Sequence, residues 1–388
     1  MKPASHAPHS QGTVATAVDV SLIEQLRALA VRGLQRMYRS DERLFVFRVR
    51  RTPTGVVSEG LSPRYTAITL IGLAGEDESV SATVLAGHST RNVCERLLSD
   101  IEQMSNLGDV ALTLWAARAI AHPAPPSAWE RLLALCPIEG TYPTVELAWT
   151  LTALCIDEEA PVGDLRERIA HRLLTAFVPR AGMFPHLVGD KASGLRAHIS
   201  CFADLVYPVQ ALAHYAKLTG NNEARDAALR CANQFCAQQG DSGQWWWHYH
   251  LQTGETVEPY PVYAVHQDAM APMALFALEE ASDADFTPYI SKGLAWLARS
   301  PELDGGSLID NDADLIWRKV ARREPRKLAR YLQTVTSRIH PSLRVPGLDL
   351  LFPVGTIDDE DRPYHLGWLL YAWPLARVAR WKQQEESQ

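Results

Sequence analysis

The feature that most restricts the fold of this chain is an alternation between two kinds of helical segment. Leu22, Leu26, Leu29, Leu34 and Met37 recur every three to five residues and paint one stripe of a helix. Ala224, Ala228, Cys231, Ala232 and Phe235 do the same, with charges opposite them. Other segments, at residues 148–155, 205–218 and 270–278, are apolar almost all round. A helix with one apolar stripe covers a core from outside, whereas one that is apolar on every side is enclosed. The order outer, inner, outer, inner therefore predicts two concentric layers of helices.

The connections are asymmetric. Inner segments pass to outer ones through short turns such as Thr219-Gly220-Asn221. Outer segments return through long stretches rich in Gly, Pro and aromatics, at residues 41–63, 179–200, 240–266 and 343–363. Loops of that length in a compact chain are usually functional. Runs such as Leu44-Phe45-Val46-Phe47-Arg48-Val49 predict short hairpins within them. Inner helices are expected to start near Arg64, Asp109, Glu146, Asp204, Asp268 and Asp361, and the long last gap leaves room for a further unit around residues 313–339. The expected fold is all-α: an α/α toroid of about six helical hairpins closed into a ring, with short β-hairpins on one rim. Residues 1–18 and 383–388 read as polar tails, and residues 19–382 as a single domain.

Composition narrows the partners. Apolar residues make up 47% of the 388 and charged ones 21%, enough for a large soluble core. The 45 acidic residues outnumber the 38 basic ones and no basic tract occurs, which argues against nucleic acid or an anionic membrane as partner. No apolar run is long enough to cross a bilayer and no secretory n-region opens the sequence, so a cytoplasmic protein is expected. The six cysteines, Cys94, Cys136, Cys155, Cys201, Cys231 and Cys236, form no C-x-x-C pair and read as buried, reduced thiols. P-loop, dinucleotide-binding and G-x-S-x-G patterns are absent, and no cofactor or metal is expected.

The densest chemistry lies between Gln239 and Pro272. It opens with Gln239-Gly240-Asp241-Ser242-Gly243-Gln244-Trp245, a Q-x3-G-x-W string. Trp246, Trp247, Tyr249, Tyr260 and Tyr263 follow, with His248, His250, His266 and Asp268 among them. Indole and phenol faces stack on sugar rings or shield cations, or they plug the mouth of a ring. His248, His250, His266 and Asp268 could also hold a metal, a weaker alternative. Carboxylates recur at the starts of inner helices, as Glu146, Asp204 and Asp268, where they cap the helix or face the mouth. Glu59 and Arg64 open the first inner helix and either pair with each other or line the mouth, where an Arg could hold a carboxylate or phosphate. His186, His198 and His214 read as satisfied or solvent-facing. Asp310-Asn311-Asp312-Ala313-Asp314 lacks the Gly and distal Glu of a calcium loop and reads as a helix start.

At the level of hairpin alternation the chain resembles the α/α-toroid proteins, both the six-hairpin glycosidase-like group and the terpenoid cyclase and prenyltransferase group. The single Q-x3-G-x-W string looks like the repeated motif of terpenoid cyclases. Aromatic return loops followed by an acid near an inner-helix start look like carbohydrate-active toroids. Asp358-Asp359-Glu360-Asp361 looks like the acidic motif with which cyclases protonate an alkene, with Glu in place of the middle Asp.

These observations lead to an expected function. The protein reads as a carbohydrate-active enzyme acting on a glycan or sugar conjugate by hydrolysis, elimination or epimerisation. Asp268 with Asp204 or Glu146 would do the acid–base work, assisted by His266 and His365. Trp246 and Tyr260 would be the stacking platform, with Trp245, Trp247, Tyr249, Tyr263 and Tyr364 beside them, and Arg64 or Arg362 would take a uronate or phosphate. The first alternative is an isoprenoid cyclase with the run Asp358 to Asp361, including Asp359 and Asp361, as the proton source. The second is a toroid that binds a glycan or partner without catalysis.

Overall fold

The computed structural model describes residues 19–189, 197–325, 328–340, 343 and 345–386. Six inner helices form a closed ring: Pro63–Leu73, Leu107–Ala119, Thr144–Ile156, Ala203–Thr219, Ala271–Ala281 with the π-turn His266–Met270 ahead of it, and Pro363–Ala372. Each packs on the next, and the last packs on the first. Their starts lie within a few residues of the positions expected from the alternation, and most residues of each are buried.

The outer layer has the one-sided helices. Val20–Met37 leans on the last inner helix, Thr90–Ser99 on the first two, Leu165–Ala176 on the third and Asn222–Ala237 on the fourth. Several helix starts carry side-chain caps, though Glu146, Asp204 and Asp268 lie inside the first turns rather than at the cap positions. Asp19, Ser62, Ser89, Asn106 and Asn221 each accept a backbone N–H with the side-chain oxygen. Pro63 at the first position of its helix loses no hydrogen bond. Gly220, left-handed at φ 72°, ends the fourth inner helix before the short turn outward.

Ring closure depends on two glycines. A Cβ on Gly72 would sit 2.3 Å from the Gly367 carbonyl oxygen, and one on Gly367 would sit 2.9 Å from Thr69 Cα. Both obstacles are backbone, so the first and last inner helices touch main chain to main chain. No side chain could be accommodated without separating them.

The return segments form small antiparallel sheets on the rim at which all six inner helices begin. Leu44–Thr52 pairs with Gly55–Leu61 and with Glu360–Asp361, joining the first return to the last. Lys319–Arg322 lies between Val262–Tyr263 and Val354–Asp358. Ile199–Cys201, His248–His250 and Thr256–Glu258 make a third sheet. No helix among the described residues is long and apolar enough to cross a membrane.

Four local expectations are corrected. Residues 313–339 add no seventh hairpin to the ring; they give short strands and the helix Leu328–Ile339, which leans on Thr256–Glu258. The segment from Asp310 is not a helix start but the tight turn between Ile309–Asp310 and Leu315–Ile316. There the Asp310 carboxylate accepts the Ala313 N–H, and Asp314 takes φ 55°. The polar stretch after Gln383 continues the last helix to Glu386, and residues 1–18 lie outside the described residues. Of the six free cysteines, Cys136 is exposed and Cys201 half-buried.

Replacing Gly367 with Ala should cost about 1–3 kcal/mol by forcing backbone apart at the closure, read as a lower midpoint of thermal unfolding. An unchanged midpoint would show that the two helices separate freely.

Candidate active site

At the mouth, helix capping and charge pairing are carried by the same residues. Asn106 Oδ1 caps the second inner helix by accepting the Asp109 N–H at 3.1 Å. The same oxygen accepts from Arg64 Nη2 at 2.7 Å, and Asn106 Nδ2 donates to Glu146 Oε1 at 2.8 Å. Arg64 Nε donates to Asp109 Oδ1 at 2.5 Å. One amide thus fixes Arg64, Asp109 and Glu146, which start three consecutive inner helices. Gly108 makes room for this, because a Cβ there would lie 3.0 Å from Glu146 Cγ and 2.8 Å from the Trp149 ring.

Aromatic rings carry the surface from this polar chain to a cluster of arginines. The Arg64 guanidinium lies over Trp149, which meets Tyr207 edge-on at 5.1 Å. Tyr65 stacks on Phe47 and lies 4.9 Å from Tyr364. Burial pushes the Tyr364 phenol up to about 12 and that of Tyr207 up as well, so both are neutral donors. Arg362 covers Phe47, donates to the Tyr65 hydroxyl at 3.0 Å and reaches Glu360. Arg48 and Arg318 converge on that carboxylate too, at 2.8 and 2.5 Å. Burial would raise the Glu360 pKa, but the three guanidinium groups hold it below the usual range. Glu59 pairs with Arg48 and Arg50 rather than with Arg64, and Asp358 lies 3.8 Å from Arg318, so the cluster is a network of alternating charges in which several guanidinium groups border the mouth.

The expected acids are divided by depth. Glu146 and Asp204 start their helices as expected, but Asp204 has no exposed surface; it accepts the Cys201 N–H at 2.8 Å and faces His186 Nδ1 at 3.1 Å. Asp268 is also wholly enclosed. Both its oxygens lie 2.9 Å from His365 Nε2, and its carbonyl accepts from Trp373 Nε1. Asp361 faces His365 Nδ1 at 3.7 Å and accepts the Ile316 and Arg362 N–H groups. Burial alone would lower the His365 pKa, but Asp268 and Asp361 hold it at about 10, so it is a cation between two carboxylates. Burial drives His266 the other way, to about 3, leaving a neutral ring stacked on Trp247.

The aromatic segment is also split. Trp245 and Tyr249 are core residues, with Trp245 packed on Phe202 and Phe235. Trp246 meets Tyr260, whose hydroxyl donates to Glu302 and whose ring lies under Arg322. Trp247 and Tyr263 lie 4.9 Å apart, with Arg318 over Tyr263. The Q-x3-G-x-W string is a clamp between outer helices: Gln239 donates to the carbonyls of Gly243 and Tyr289, and a Cβ on Gly243 would strike the Lys292 carbonyl.

In the acidic run, Asp358 pairs with Lys319, Asp359 lies 3.8 Å from Arg51 and 44% exposed, and Glu360 is held by its arginines. Each acid is paired with a base rather than presented bare to a substrate. Among the described residues, His248, His250, His266 and Asp268 do not converge on a metal position. Asp109, His186 and Arg318 were not singled out as site residues by the sequence, and Glu360 was read only as a member of the acidic run. An N-cap Asn three residues ahead of Asp109 was legible, whereas the other three are brought in by pairing between distant segments.

No family model matches this sequence, and no curated protein matches it. Solved structures do. An unsaturated glucuronyl hydrolase specific for heparin superposes with a TM-score of 0.60 at 12% identity, over 94% of this chain and 98% of the other. An unsaturated glucuronyl hydrolase of Bacillus sp. GL1, responsible for the degradation of glycosaminoglycan, gives 0.56 at 14%, over 92% and 96%. A Salegentibacter α-1,6-mannanase variant in complex with α-1,6-mannotetrose gives 0.54 at 10%, over 92% and 99%. The fold these structures share with the chain is an α/α toroid of six helical hairpins. The resemblance read from the alternating helices holds for this toroid along nearly its whole length.

The His365 pair predicts a pH signature. A histidine raised from an unfolded value near ~6.5 to about 10 stabilises the fold fully below the lower value and progressively less up to the higher one. His365→Gln should lower the unfolding midpoint of the toroid at pH 7, and the gap from wild type should narrow as pH rises toward 10. A gap that stays constant would place the effect in packing instead.

Proposed function

We propose that this protein is a glycoside-cleaving enzyme for acidic oligosaccharides, working at the mouth where the inner helices begin. The observation that carries this reading is the juxtaposition of Glu146 and Asp109, tied through Asn106, with the arginine cluster of Arg318, Arg362 and Arg48 across a floor of Tyr65, Tyr364, Tyr207 and Trp149. Sugar rings present apolar faces that aromatic rings cover, and a uronate or sulfate group is matched by planar guanidinium donors. The structural likeness to glucuronyl hydrolases and a mannanase supports the reaction class.

Chemically, glycoside cleavage needs one carboxyl to protonate the leaving oxygen while a second carboxylate takes a proton from water or steadies the developing positive charge at the anomeric carbon. Glu146, which accepts only an amide hydrogen bond, suits the proton donor. Asp109, paired with Arg64, suits the partner carboxylate. In this reading Asp268, Asp361 and His365 hold the fifth and sixth inner helices together beneath the mouth rather than touch the substrate. Trp247 and Tyr263, beside Arg318, take the stacking role in place of Trp246 and Tyr260. A cytoplasmic location, where the six free thiols stay reduced, belongs to the same reading.

Turnover of uronate-ended, sulfated and neutral oligosaccharides, followed as new reducing ends, tests it. The acidic substrates should be cleaved, and Glu146→Gln should lower kcat by about 10²–10⁴-fold. Arg362→Ala should raise KM for acidic substrates while leaving kcat nearly unchanged. A Glu146→Gln variant with full turnover would remove Glu146 from the chemistry, and a preference for neutral substrates would refute the role of the arginines.

A further inference from the structure

A second group of reactive side chains lies at the same rim but outside the Glu146 and Asp109 assembly. His186, Cys201 and Asp204 place one ligand atom each within 4.8 Å of one another, the only such meeting of three among the described residues. They arrive from different segments. His186 belongs to the return loop before the fourth inner helix, Cys201 ends the strand Ile199–Cys201, and Asp204 sits in the first turn of Ala203–Thr219. His186 Nδ1 is already 3.1 Å from both Asp204 oxygens, and Cys201 is fixed by its own N–H bond to Asp204 Oδ2.

We propose that His186, Cys201 and Asp204 form a three-ligand site for a divalent transition ion of the zinc class, whose fourth ligand would be a water or a substrate oxygen. Zinc binds imidazole nitrogen and carboxylate oxygen at about 2.0–2.2 Å and thiolate sulfur at about 2.3 Å in a tetrahedral arrangement. Ligand atoms of such a site are then about 3.3–3.6 Å apart, by the same bond lengths. The His186 and Asp204 atoms are already near that separation at 3.1 Å, and the Cys201 sulfur lies within 4.8 Å of both. One nitrogen, one sulfur and one oxygen make a donor set of the softness zinc prefers over calcium or magnesium.

The donors differ in depth: the Asp204 side chain is wholly enclosed, whereas that of His186 is 58% exposed. Three protein ligands with one open position is the arrangement of zinc sites that bind a water or a substrate oxygen. Without an ion, the Cys201 thiol is desolvated beside a carboxylate and stays protonated. A coordinated ion reverses that local preference by taking the thiolate directly. The site goes beyond the glycoside-cleaving reading, since it uses none of the groups assigned to that reaction.

The test is made on the full chain after dialysis against a chelator, with zinc and cobalt chlorides as the probes. Calorimetric titration should show one equivalent of zinc bound. Cobalt should give a thiolate-to-metal charge-transfer band together with the visible bands of a tetrahedral ion. Cys201→Ser should abolish the charge-transfer band, and His186→Gln should weaken zinc binding at least about tenfold. His186 is exposed, so that variant keeps the test decisive even if Cys201→Ser fails to fold. Cys136→Ser, which removes the exposed thiol, should change neither signal. Absence of stoichiometric binding, a charge-transfer band that survives Cys201→Ser, or one that disappears with Cys136→Ser would each overturn the site. None of these readouts depends on oligosaccharide turnover, so the metal site and the glycosidase reading stand or fall separately.

Discussion

The contact on which the rest depends is the one between Gly72 and Gly367. Six inner helices form a ring only if the last lies close against the first, and here the two approach with nothing but main chain between them. A closed ring leaves no helix with a missing neighbour, which is why the inner segments are apolar on every side. Closure also brings the last inner helix, with His365, against the fifth, with Asp268. An uncompensated carboxylate at that depth costs several kcal/mol, and pairing with a cation offsets much of it. The buried ion pair is therefore a dependent of the closure rather than an independent source of stability.

The mouth shows how fold and chemistry share residues. Asn106 terminates a helix, as any cap does, yet its remaining amide hydrogen and oxygen also set the positions of Glu146 and Arg64. The rim sheets act alike. Pairing of Leu44–Thr52 with Glu360–Asp361 sets Arg50 opposite Glu360, so Arg48 and Arg362 arrive at one carboxylate from opposite ends of the chain. Side chains held by capping and by strand register lose little further freedom when a substrate binds.

Much of this was legible in the sequence, and the reasons are specific. Alternation of striped and all-round apolar helices encodes a two-layer ring, because burial on every side leaves no other arrangement, and the six inner starts follow from it. Caps such as Ser62 and Asn106 are local and equally legible. Pairings over long sequence distances are not local. Arg318 meets Glu360 through the sheet around Lys319–Arg322, and nothing in the residues beside Arg318 marks that meeting. Composition also misled around Trp245 and Tyr249, since an aromatic-rich strand looks the same whether its rings face a ligand or the core. His248, Tyr249 and His250 are all buried, so alternation along that strand does not sort its side chains into a wet and a dry face. The excursion at residues 313–339 was misread because an amphipathic run that long suits an outer helix as well as a rim helix.

The arginines around Glu360 acquire another meaning beside the overall charge of −7. A polyanion approaching most of this surface meets a repulsive field. At the rim, guanidinium groups already held by carboxylates stand beside the starts of the inner helices. Their planar donors are fixed in direction, so on the proposed reading they set the orientation of an acidic chain before any ring is touched. On that reading the charge of the glycan would be sensed at contact distance rather than from afar, because each guanidinium is already partly neutralised by its carboxylate and salt screens what remains.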